Sequence, residues 1–186
     1  SLFPYQSTAS VADSILRFKL PTSQKYAVES FGPKAMPMVA KVESGSELYF
    51  MNVCGGFIVN LTGTEKIKSI QFTGYDETGN KAKVSGEFTV NMKYEEVPEI
   101  QVTGNGNTNV TLNCGDGVQL SEETSTSFHI ALPPATYHGF SLVITTTEGK
   151  RMMKESEKEL TITRANLTNA AAFAFEENFF GFDLSA

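Results

Sequence analysis

The chain has 186 residues, 40% of them hydrophobic and 19% charged, with a formal net charge of −6. That length suits one domain, or one with an appendage, burying roughly 70% of its unfolded surface without a metal or disulfide staple, and the composition excludes wholesale disorder. The negative balance argues against nucleic acid or an anionic membrane surface as the main partner, because both demand a basic face, and no apolar run approaches the ~20 residues of a membrane-spanning helix.

No signal peptide opens the chain at Ser1, which fits a cytosolic protein or a mature or trimmed form. From residue 1 to 46 the pattern is irregular, with one strand, "ILRFKL", and repeated breaks at Pro21, Gly32, Pro33 and Pro37. Such a segment lacks a core of its own and is expected to drape over the next one. Residues 47–176 then alternate with period two.

The stretch "CGGFIVNLTGTEKIKSIQFTG", Cys54–Gly74, is expected to be a core hairpin turning at Gly63–Thr64. Phe57, Val59 and Leu61 share one face, Ile70 and Phe72 another, and Gly55–Gly56 permits a bulge or sharp bend. In "VSGEFTVNMKY" the apolar face is Val84, Phe88, Val90, Met92 and Tyr94. Val110, Leu112 and Cys114 follow, then Phe128, Ile130 and Leu132, then Phe140, Leu142 and Ile144, then Leu160 and Ile162. "YDETGNK", "TGNGNT", "GDG", "LPPATYHG" and "TEGK" supply turns between them, and "KESEKE" reads as a hairpin end. The stretch "NLTNAAAFAFEENFF" holds a helical turn or two, or a terminal strand. Seven to eight short strands with one apolar face each predict an all-β fold, an antiparallel β-sandwich. Residues 177–186 form an aromatic tail.

Chemistry is sparse. His129 falls on the polar face of its strand and His138 in a turn, too few ligands for zinc. "GNGNT" leads into a strand, so it is a hairpin loop and no phosphate cradle. Asp76, Glu77 and Asn80 lack the register of a calcium loop and read as a plain turn. The pairs Glu95–Glu96 and Glu122–Glu123 are adjacent, so in a strand they point to opposite faces. With no nucleophile–base arrangement the chain is expected to be no enzyme, with no catalytic, cofactor or metal residues. Five phenylalanines crowd "FAFEENFFGF". Either Phe173 and Phe175 form the last core strand and the rest plug one end of the sandwich, or Phe179, Phe180 and Phe182 offer a contact surface to a neighbouring subunit or domain.

Four stretches in order, "LPTSQKYAVESFGPKAMPMVA", "LYFMNVCGGFIVNLTGTEKIKSIQFTG", "VTLNCGDGVQL" and "FHIALPPATYHGFSLVITTTEGK", resemble the fimbrillin-like surface proteins of Bacteroidetes. The resemblance spans about Leu20 to Phe175. It implies a transthyretin-like sandwich, exported to the outer membrane or built into pili, lipid-anchored through a removed N-terminal region, and joined to other subunits by strand donation. Fimbrillins usually carry two such sandwiches, and this chain has strands for one. The resemblance brings no catalytic residues. Some fimbrillins are cleaved after an arginine near the N-terminus, and the early arginine here is Arg17. An exported chain can pair Cys54 with Cys114, closing a loop of ~60 residues worth roughly 4 kcal/mol, or keep two small buried thiols.

The expected function is a cell-surface structural or adhesive module, a pilus component or a domain of a surface lipoprotein. Its partners would be protein subunits or a surface ligand. The alternative is a carbohydrate-binding or substrate-capture module of a glycan-utilisation system, which the absence of tryptophan disfavours.

Overall fold

A computed structural model of the chain describes residues 1–41, 47–91 and 97–178, with the backbone alone at Val102. Among these residues the fold is all β, 61% strand with no helix, in several mostly antiparallel sheets. None of it is a helix long and apolar enough to cross a membrane.

The first 41 residues hold six strands: β1 (Leu2–Phe3), β2 (Ser10–Ala12), β3 (Ile15–Leu20), β4 (Ser23–Ala27), β5 (Ser30–Phe31) and β6 (Met38–Val39). Next come β7 (Met51–Asn52), β8 (Gly55–Thr62), β9 (Lys66–Gly74), β10 (Ser85–Asn91) and β11 (Glu99–Asn107). The chain continues through β12 (Val110–Gln119), β13 (Thr126–Leu132), β14 (Ala135–Thr146) and β15 (Arg151–Ile162) to β16 (Leu167–Asn169) and β17 (Phe173–Ala174).

A six-stranded sheet runs β15-β14-β9-β12-β4-β5, and β8 lies between β13 and β16 in another, with β17 also pairing β8. Their apolar residues make one main core: Phe57, Val59 and Leu61 from β8, Phe128, Ile130 and Leu132 from β13, and Ile70, Phe72, Leu112 and Leu142 from the larger sheet. These are the alternating positions of the sequence, because successive side chains of a strand point to opposite faces and only every second one reaches the core between the sheets.

β8 and β9 are not a hairpin. β8 pairs with β13, setting Phe57 opposite Ile130, whereas β9 pairs with β12 and β14. The Gly63–Thr64 turn therefore carries the chain from one sheet to the other. Alternation shows which face is apolar, and it does not distinguish in-sheet neighbours from strands that face each other across a core. Nor is there a bulge at Gly55–Gly56, where the β8–β13 register runs unbroken. The glycines serve close approach instead: a Cβ on Gly55 would lie 2.3 Å from the Thr163 carbonyl oxygen, and one on Gly56 2.5 Å from the Phe31 ring.

Three expected turns lie within strands. "GDG" is an excursion inside β12, whose register on β9 jumps between Asn113 and Val118. Gly115 and Gly117 take positive φ there (60° and 103°), and Lys68 Nζ donates to the Gly115 carbonyl at 2.6 Å. "TGNGN" continues β11, leaving Thr108–Asn109 as the turn. "ATYHG" opens β14, and Tyr137 sits buried in the main core. "KESEKE" is the middle of β15, not a hairpin end. As the outer strand of its sheet β15 gains from a run of charges, which discourages pairing with a foreign strand. "NLTNAAAFAFEENFF" forms strands β16 and β17 as far as residue 178, both parallel to β8.

The N-terminal segment does more than drape. Leu16, Phe18 and Leu20 of β3 join Val39, Val53, Cys54, Phe88 and Val90 in a second core. It lies under the sheet β11-β10-β3-β2 and the small sheet β1-β6-β7. Val84, one residue before β10, belongs to the main core, so this chain segment leaves one core and enters the other within a few residues. Met92 and Tyr94 of the same expected strand face lie outside the described residues.

Candidate functional site

Among the described residues no three His, Cys, Asp or Glu side chains converge as metal ligands. The polar face of its strand does not leave His129 in water. His129 is buried (8% exposed), under the Phe31 ring at 5.4 Å. Its Nδ1 has no hydrogen-bond partner, and desolvation lowers its pKa. Both faces of β13 are covered, which alternation alone could not reveal. His138 stands exposed in β14, with Nδ1 3.1 Å from Glu159 on β15.

Asp76 does what a turn residue should. Its Oδ1 accepts from the Thr78 N–H and hydroxyl and the Asn80 N–H at 2.7–2.9 Å, and the Thr78 hydroxyl leads the interactions that lower its pKa. Arg17 is held in the middle of β3, paired with Ser10 and Thr89 on either side.

Cys54 and Cys114 are both free and buried. Cys54 belongs to the second core and Cys114 to the main one. Desolvation pushes both thiols up to about 12, so neither is primed as a nucleophile. Glu122 and Glu123 are solvated in the loop before β13. Glu95, Glu96, Phe179, Phe180 and Phe182 lie outside the described residues.

The structure does bring together an exposed apolar surface that the sequence reading missed. In the small sheet Leu2 and Val39 face the second core, so period two turns Phe3 outward. Phe3 meets Phe50 edge to face, with centroids 6.3 Å apart. Tyr49 (75% exposed) and Tyr5 (82%) are close in sequence to this pair, and the Tyr49 hydroxyl donates to Glu47 at 2.7 Å. Val11 and Leu48, also exposed, line a depression of about 360 Å³ floored by Leu16 and Ala40. The signal was present in "LYF": Tyr49 and Phe50 are adjacent, and an extended chain cannot bury both against one core.

No protein-family model and no curated protein matches the chain.

Proposed function

We propose that this chain is a non-enzymatic structural or adhesive module of a bacterial cell surface, a fimbrillin-like pilus component or a domain of a surface lipoprotein. The observation that carries the reading is the surface around Phe3 and Phe50. Large aromatic side chains left in water beside a well-filled core mark a contact surface for another protein. In this reading β8, β9, β12, β13, β14, β15 and β16 form a transthyretin-like sandwich, with β4 as its eighth strand. The second core then holds the contact surface at one side of that scaffold, and the module works exported, at the outer membrane, among other protein subunits.

The test is fractionation of the native host after mechanical shearing of its surface. The chain should appear in the sheared fraction with other subunits. A Phe3→Ser/Phe50→Ser variant that keeps the parent's melting temperature should be depleted from it. A chain found in the cytosol, or a variant incorporated as well as the parent, would overturn the proposal.

A further inference from the structure

A cleft of about 630 Å³ opens between β11 and the base of the β14–β15 hairpin. That volume is within the range of about 300–1,000 Å³ usual for small-molecule sites. None of the exposed aromatics at Phe3 and Phe50 lines it. Pro98, Glu99 and Gln101 form one wall, and Pro134, Ala135 and Thr136 another. Thr161 and Arg164, at and just beyond the end of β15, close it.

Arg164 is held in place before any ligand arrives. The turn after β15 puts Ala165 at φ 59°, with its N–H on the Cys54 carbonyl at 2.9 Å, while the Asn166 carbonyl accepts from Gly56 N–H at 2.8 Å. This docking is what forbids a side chain at Gly55. Arg164 Nη1 donates to the Asn52 carbonyl at 3.1 Å, which restrains the guanidinium and commits one of its five N–H donors. The Thr136 and Thr161 hydroxyls lie 3.2 Å apart, so one donates to the other and the second keeps its own proton for a ligand. Glu99 and Gln101, both exposed, add an acceptor and an amide.

We propose that this cleft binds a uronic acid, a sugar with a single carboxylate. The carboxylate takes the fork of Arg164, a geometry that a guanidinium matches with two parallel bonds. Ring hydroxyls exchange hydrogen bonds with Thr136, Thr161, Gln101 and Glu99. The apolar C–H face of the ring lies on Pro134 and Ala135. One arginine and one glutamate among the lining residues suit a single negative charge and disfavour phosphates and polyanions. Two threonine hydroxyls, the Gln101 amide and the Glu99 carboxylate beside an apolar floor offer a polyhydroxylated ring more hydrogen-bond partners than an aliphatic acid could use. This site is independent of the aromatic surface, and its failure would leave the assembly reading standing.

The test is an NMR titration of the intact chain with sodium D-galacturonate, a galacturonate trimer, D-galactose and sodium acetate. Galacturonate should give saturable shifts at the backbone amides of Gln101, Thr136 and Arg164, with galactose and acetate at least about tenfold weaker. Comparable binding of monomer and trimer identifies a free sugar as the ligand. Trimer binding about tenfold tighter identifies a glycan chain. Arg164→Ala should weaken binding by about tenfold or more, and Thr136→Val, which leaves the Asn52 contact intact, by a smaller factor. Absent or non-saturable shifts, shifts away from the cleft, or undiminished binding by a folded Arg164→Ala would overturn the proposal.

Discussion

Phe57 and Phe72 meet edge to face across the main core, ring centroids 5.8 Å apart, although they belong to consecutive strands that share no hydrogen bond. Phe140 stacks on Phe72 at 5.9 Å and touches Phe57 at 5.3 Å, and Tyr137 closes the group at 5.6 Å from Phe72. The chain crosses between sheets at Gly63–Thr64, so this cluster ties both sheets together. Phe72→Ala should cost roughly 3–5 kcal/mol. Thr64→Ala, on the exposed connection, should stay within about 0.5 kcal/mol. Chemical denaturation of the two variants measures both.

Gly56 and Phe31 make a second pair. The Phe31 ring and Leu167 occupy the space a side chain at 56 would need, and Gly56 lies mid-register opposite Ala131. Gly56→Ala should therefore destabilise by overpacking, about 1–3 kcal/mol. In a Phe31→Ala background the same substitution should cost less. A double-mutant cycle should give a coupling of at least about 0.5 kcal/mol, and strict additivity would contradict the assignment.

Two amide side chains close sheet edges. Gln24, buried in β4, donates to the Ala131 carbonyl at 2.8 Å and accepts from its N–H at 2.9 Å, standing in for a neighbouring strand of β13. Asn178 makes the same pair of bonds to Met153 on β15, at 2.7 and 3.0 Å, but at an exposed position. Gln24→Leu strands two buried backbone groups at about 1–3 kcal/mol each. Asn178→Ala admits water and should change little, within about 0.5 kcal/mol. Equal effects in denaturation would show that burial is not what separates them.

Burial also sets a pH window. The folded state raises the Cys54 and Cys114 thiols from 9.0 to about 12, so it favours their protonated form. That contribution is complete below pH 9.0 and is lost as pH rises from there towards about 12. His129 is depressed below 6.5, so its contribution is present above that value and fades as pH falls through it. Melting temperature should therefore fall on both sides of the interval 6.5–9.0. Cys54→Ala should flatten the alkaline limb, and denatured, unreduced protein should titrate two thiols per chain.

The core faces were legible because each is one-sided: Leu16, Phe18 and Leu20, or Val110, Leu112 and Cys114, must all point the same way in a strand. Partner choice was not legible. Nothing local in Phe57–Leu61 says whether its neighbour is β9 or β13, since both offer apolar faces of similar length. His129 escaped for the same reason, being covered by Phe31 from a segment far earlier in the chain. The candidate surface was missed because the first 46 residues looked coreless, and Phe3 reads as outward only once Leu2 is known to face a core.

The most direct test of the account is site-specific photo-cross-linking in the native host. A photoreactive amino acid would be placed at the Phe50 position of the aromatic surface or, in a separate variant, at the exposed Glu155 position on the charged edge of β15. The account predicts a discrete cross-linked partner subunit from position 50 and none from position 155. Cross-links from 155 alone, or none from 50 in a folded chain present at the cell surface, would contradict it.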